Sequence, residues 1–282
     1  MLNELRHFLL VVEHGTFTEA ARRARLTQPA LSASIHRLEE HFGARLLHRG
    51  RKGAAATAAG EALVPRAKAA IAAFSEAGRA VAEVAGLRAG EVRLGAGATA
   101  CTYLLPVYMK RFRERHPGIR MRLREGLGEH LVDAVSEGEL DLAVVRSEEG
   151  EPWKNDALII VAAPGFEVLG APFVTFPQGA STREILDENF PDAEVVMELS
   201  SIAAVKGHVR AGVGVALLSR HAVEGDLAQG RLVEVEHPKT PLRTVFSLVH
   251  RGVDRLPPAA TALREMLLRD RDRISSRRRR ER

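Results

Sequence analysis

Residues 16–43 constrain this chain more than any other stretch, because they encode two short helices that must cross at a tight turn. Thr16-Phe17-Thr18-Glu19 has the form of a capping box, in which a hydroxyl and a carboxylate satisfy free N–H groups at a helix start. The helix after it is short, with Phe17, Ala20, Ala21 and Ala24 facing inward, and its alanines leave room for a close crossing. Thr27 is a second N-cap, with Pro29 in the first turn where a missing N–H costs little. From there a helix is expected to run to Phe42 and stop at Gly43. Its apolar stripe is Leu31, Ile35, Leu38 and Phe42, so the opposite face presents Gln28, Pro29, Ser32, Ala33, His36 and Arg37. Ahead of the pair, Leu5, Phe8, Leu9 and Val12 recur at helical spacing over residues 3–14, and Gly15 ends that helix.

Two short helices around a tight turn, the second with a polar N-terminal face, make a helix-turn-helix. Such a second helix fits the major groove, where its first side chains meet base edges. Gln28 suits bidentate pairing with adenine. Residues 45–53 read as two extended pieces around a basic glycine turn, a wing placed to touch phosphates. The expected DNA contacts are Thr27, Gln28, Pro29, Ser32, Ala33, His36 and Arg37 on the helix, with Arg49, Arg51 and Lys52 on the wing.

The charge agrees with that division of labour. The chain has 282 residues and a formal net charge of +5, but residues 1–57 hold nine Lys/Arg against five Asp/Glu. Arg277 to Arg282 holds five arginines and one glutamate, which leaves residues 58–276 at a net of −3. A basic head, a mildly acidic body and a basic tail argue for separate jobs. Residues 273–282 read as a disordered basic tail. The apolar run Ala211 to Leu218 has eight residues, two of them glycine, far short of a membrane span, and no signal peptide is visible. One cysteine suits a reducing cytoplasm, where the protein is expected to work.

Thr57 is expected to cap a long alanine-rich helix over 58–88. Leu63, Ala67, Ala70, Phe74, Ala77, Val81 and Val84 fall at alternating steps of four and three, the heptad pattern of a coiled-coil seam. A dimer through that seam would present two reading helices to a two-fold DNA site.

Here a resemblance becomes specific. Ala20-Ala21, Leu26 to Ser32, Ile35, Arg37-Leu38-Glu39, Gly43, Leu46-Leu47 and Arg49 are similar to the winged helix-turn-helix of LysR-type transcriptional regulators. The match is close over residues 1–86 and looser beyond. It implies a dimer or tetramer, a linker helix, contact with RNA polymerase, and a small-molecule effector domain built like periplasmic binding proteins. Ala33 departs from the pattern, standing where many members carry an arginine that contacts DNA.

The body supports an α/β reading on its own terms. Strands are expected at 91–96, around Met121 and at 140–145, with helices between, which is a βαβαβ unit with a parallel core. A similar half comes next, with strands around Val174, Val195 and Val215. Thr244 to Val249 should cross back to the first half, where a last helix near 258–269 packs. The expected fold class is therefore α+β overall. It has a winged helix-turn-helix at 1–57, a linker helix at 58–88, and an effector domain at 91–272. Subdomain I comprises about 91–163 and 241–272, and subdomain II about 164–240. The Val161–Phe173 connection is shorter than the resemblance implies, so subdomain II's side of a cleft should be open.

Gly95-Ala96-Gly97-Ala98-Thr99-Ala100 also has the form of a dinucleotide fingerprint, which makes an NAD-dependent enzyme the alternative from another class. Against it, Glu125 lies late for the ribose-binding acid and no paired acid and base are visible. In LysR-type proteins the same turn lines the effector cleft. Ligands of open α/β sheets sit beyond strand C-termini, where helix N-termini aim N–H groups at anions. That logic selects Ala98, Thr99, Gly126, Leu127, Arg146 and Ser147 from the first half, and Ser181, Thr182, Ser200 and Ser201 from the second. These groups suit an anionic effector. Cys101 begins the helix after the turn, where a thiol can become a redox handle but is more often a small packed hydrophobe. The eleven histidines form no metal pattern, no catalytic residues are assignable, and no cofactor is expected.

Overall fold

The computed structural model describes residues 1–50, 53–84 and 90–271, without the side chains of Arg49, 75–76 and 79–84. Arg51, Lys52 and the basic tail lie outside the described residues, as do the side chains of Arg49, Val81 and Val84. The chain divides into two compact units, one of Met1–Leu87 and one made of most of the chain from Arg88 onward.

In the first unit, α1 (Leu2–His14), α2 (Phe17–Ala24) and α3 (Gln28–Phe42) precede a ribbon of β1 (Leu47–Gly50) and β2 (Gly53–Ala56), then α4 (Ala58–Val84). The expected caps are in place. The Thr16 hydroxyl accepts from Glu19 N–H at 3.2 Å and the Thr27 hydroxyl from Ala30 N–H at 3.4 Å. The return half of the capping box is replaced: Arg22 and Arg23 take the Glu19 carboxylate at 2.8 and 3.0 Å. Those bonds, Arg22's first, hold that carboxyl at about 2. Arg25 closes the turn in the left-handed region (φ 56°), a place that non-glycine residues seldom occupy.

Leu31, Ile35 and Leu38 are buried as the stripe predicts, but Phe42 is 47% exposed. Glu39 takes the buried position instead, because the chain after Gly43 folds back onto it. Its carboxylate accepts from the N–H groups of Leu46 and Leu47 at 2.9 and 3.3 Å and pairs with Arg45 at 3.0 Å. The ribbon is clamped from both sides. Gly53, at φ 130°, lies where a Cβ would overlap the Gly15 carbonyl, and Ala54 N–H bonds that same oxygen at 2.6 Å. A Cβ on Gly60 would likewise overlap the Leu46 carbonyl, so α4 crosses the ribbon in bare backbone contact. Gly60→Ala is expected to weaken this unit by about 1–3 kcal/mol, read from the urea midpoint; an unchanged midpoint would show that the crossing gives way freely.

The second unit has two lobes. In lobe I, β3 (Glu91–Ala96) runs parallel to both β4 (Arg120–Glu125) and β5 (Leu142–Arg146), as the βαβαβ reading requires. Helices α5 (Leu105–Arg115), α6 (Gly128–Ser136) and α10 (Pro258–Arg269) cover it. Its core gathers Leu94, Phe112, Trp153, Leu248 and Leu263, with Tyr108 edge-on to Trp153 at 5.2 Å. Lobe II holds β7 (Phe173–Thr175), β8 (Val195–Glu198), β9 (Ala216–Ser219) and β10 (Val233–Val235), with α7 (Ser181–Asn189), α8 (Ile202–Arg210) and α9 (Arg220–Ala228).

The lobes share β6 (Glu151–Ala162), which is not among the strands that the spacing predicts. Its first part pairs antiparallel with β11 (Leu242–Val249), the strand that crosses back to β5. Its last part pairs with β9 and β10. The N-terminal half, Glu151-Pro152-Trp153-Lys154-Asn155-Asp156, breaks strand alternation, which hides it from a reading by period.

Candidate effector cleft and DNA-reading face

Between the two lobes lies a cleft of about 400 Å³. Lobe I contributes the ends of its three parallel strands: Gly97 to Thr99, Glu125 to Gly128, and Val145 with Arg146, together with Phe246. Lobe II contributes Phe176 to Gln178, Ala180 to Thr182, Ser200 and Ile202. Ala98, Thr99, Gly126, Leu127, Arg146, Ser181, Thr182 and Ser200 therefore meet around one cavity, as strand-end logic expects.

Three expected residues point elsewhere. Ser201 is the N-cap of α8, its hydroxyl accepting from Ala204 N–H at 3.4 Å. Ser147 turns outward to cap its own loop, accepting from Glu149 N–H at 3.0 Å. Cys101 packs against the lobe I core. Burial first, then the nearby Glu125 carboxylate, pushes its thiol up, the reverse of what a reactive thiolate needs. The cleft residues Glu125, Phe176, Gln178, Ile202 and Phe246 were outside the expected effector set, since they are apolar or sit off the serine and threonine signal.

Two features set the cleft's chemistry. First, four hydroxyl-bearing residues line it without capping anything: Thr99, Ser181, Thr182 and Ser200 make no side-chain hydrogen bond to protein among the described residues. Ser181 and Thr182 occupy the first turn of α7, whose cap residue is Ala180, so free backbone N–H groups lie beside their hydroxyls. Second, Arg146 is matched on one side only. Its guanidinium pairs with Asp156 at 2.8 Å, bonds Thr244 and lies over the Phe246 ring at 4.7 Å. The Asp156 carboxylate also accepts the Ser219 hydroxyl at 2.8 Å. Burial drags the Arg146 guanidinium down while Asp156 opposes it. Arg146 thus lines the cleft as expected, with Nη1 engaged by Asp156, while its buried Nε has no hydrogen-bond partner among the described residues.

The glycine turn also finds a packing reason. A Cβ on Gly95 would press on Leu140 and Leu131 at 2.6 and 2.8 Å, so this glycine lets α6 settle against β3. The helix that leaves the turn passes through a π-helical stretch, Ala100–Leu104, a distortion frequent at functional sites. That stretch places Tyr103 against the lobe II core, with Lys206 Nζ 5.2 Å from its ring centre.

On the first unit, Gln28, Pro29, Ala33, His36 and Arg37 are exposed on α3, with Ser32 half-buried among them. Arg37 is held by Glu4 at 3.3 Å and His36 by Glu40 at 3.3 Å, whereas Gln28 has no recorded partner among the described residues. No group of side chains suited to a metal occurs among the described residues, and none of their helices is long and apolar enough to cross a membrane.

A family model for the bacterial regulatory helix-turn-helix protein, lysR family, matches residues 2–61, and one for the LysR substrate binding domain matches residues 85–272. The chain belongs to the LysR family. Like others of that family it is a transcriptional regulator, with a DNA-binding helix-turn-helix and an effector-binding domain. It is 29% identical over 98% of both chains to a RuBisCO operon transcriptional regulator of Allochromatium vinosum. It is 31% identical over 89% of this chain, and 91% of the other, to the HTH-type transcriptional regulator YeiE of Escherichia coli (strain K12). Full-length CbnR complexed with its target DNA shares the fold at a TM-score of 0.66 and 18% identity, over 96% of this chain and 99% of that one. These relatives are regulators, which sets aside the NAD-dependent enzyme; of the two fingerprint glycines, Gly97 lines the cleft and Gly95 packs against Leu131 and Leu140.

Proposed function

We propose that α3 reads the major groove with Gln28 as its base-reading residue. Thr27, Pro29, Ser32, Ala33, His36 and Arg37 lie around that contact, and Arg49, Arg51 and Lys52 hold the flanking phosphates. The observation that carries this reading is the exposed, unengaged Gln28 at the start of a helix whose opposite face is buried. Gln28→Ala is expected to cost about 1–3 kcal/mol at a site recovered by genome-wide mapping, while non-specific affinity at the same salt barely changes. Equal losses on both DNAs, measured by fluorescence anisotropy, would refute the assignment.

The heptad seam divides its work. Leu63 and Ala67 pack into the unit's own core, while Ala70, Phe74 and Ala77 face out, Phe74 at 63% exposure. We infer that this outer part, continued by Val81 and Val84, is the dimer seam. Phe74→Glu should therefore shift the sedimentation profile towards monomer at micromolar concentration. A wild-type protein that stays monomeric at every concentration would sink the reading.

Residues 1–57, 58–88 and 91–272 then act as reader, coupler and sensor in the cytoplasm. An effector with an acidic group binds between the lobes through the α7 N–H groups and the free hydroxyls. Its differential affinity for two lobe arrangements changes the spacing of the reading heads, and with it DNA bending or contact with RNA polymerase.

A further inference from the structure

Glu125 ends β4 at the lobe I wall of the cleft, and its side chain is exposed there. No cation lies within ion-pair distance of it among the described residues; its polar neighbour is the neutral Cys101 thiol. The other charged residue lining the cleft, Arg146, has its charge balanced by Asp156 through Nη1 and keeps one unpartnered donor, Nε. Among the described residues, Glu125 is therefore the one formal charge of the lining that the protein leaves uncompensated. Covering it with a purely anionic ligand would bring like charges together while water is expelled. On the facing wall, Ser181 and Thr182 offer hydroxyls and a helix start, groups that favour a carboxylate. Leu127, Phe176, Ile202 and Phe246 add apolar surface to the same cleft.

We propose that the effector is an amino acid or a close amino-acid-like zwitterion, its ammonium group on Glu125 and its carboxylate on Ser181 and Thr182. Such a ligand carries both charged groups on one carbon, so it would sit where the two walls approach each other, its side chain against the apolar lining. This assignment rests on the cleft being the effector site, and the two can fail separately.

Calorimetric titration of the full-length protein with the twenty L-amino acids, and with the 2-oxo and 2-hydroxy acids of the same side chains, is the test. At least one amino acid should bind saturably, and its deaminated counterparts at least about tenfold more weakly. Glu125→Gln should collapse that ratio towards one, and the double variant Ser181→Ala, Thr182→Ala should weaken both partners of the pair alike. Deaminated acids binding as tightly as amino acids, or no amino acid binding at all, would overturn the zwitterion. Amino-acid binding that ignores both variants would overturn the cleft as its site. Circular dichroism of each variant separates lost contacts from lost folding.

Discussion

Asp156→Ala should lower the unfolding free energy of the second unit by about 3–5 kcal/mol, because it leaves the buried Arg146 guanidinium without its counter-charge. Asp156 is 6% exposed and carries both the Arg146 pair at 2.8 Å and the Ser219 hydroxyl at 2.8 Å. The residue sits on β6 where that strand passes from one lobe to the other, so the damage reaches both sides of the cleft. Adding Arg146→Met should recover much of the loss, since two apolar side chains demand no pairing. Urea unfolding of the single and double variants measures both effects. A loss below about 1 kcal/mol for Asp156→Ala would mean that water or Thr244 alone satisfies the arginine.

Glu39→Ala is the second large effect, expected at about 2–4 kcal/mol in the first unit, because it strips the acceptor from two buried backbone N–H groups at once. Leu46 and Leu47 lead into the wing, so specific and non-specific DNA affinity should fall together, unlike the Gln28 variant. Glu39→Gln keeps one acceptor oxygen and should fall between wild type and alanine. An alanine variant with an unchanged urea midpoint and full affinity would show that the wing holds its place without the carboxylate.

The helical caps and stops of the first unit were legible because each depends on neighbours three or four residues away. Glu39 was not: its value as an acceptor depends on a chain reversal seven residues later, so a local stripe assigned that burial to Phe42 instead. The parallel strands and the gathering of eight cleft residues came from strand ends and glycine turns. What escaped was long-range pairing. Arg146 reads as a free cation in the sequence, and its partner Asp156 lies on a strand whose charges conceal it. Glu125 was visible as a strand-end acid, but only the neutralisation of Arg146 makes it the odd charge of the cleft.

The bare-backbone crossing at Gly60 has a mechanical corollary. Thr57 is bonded to the Arg45 carbonyl at 2.7 Å and Gly60 sits against the Leu46 carbonyl, so the start of α4 is tied to the reading head at two points. The 27 residues of α4, with Pro65 inside it, span ~40 Å. A tilt of about 5° at its far end sweeps the head through an arc of ~3.5 Å, which is the rise of one base pair along the duplex. Leverage of this kind scales with helix length, and the close contact at Gly60 is the seat on which it depends.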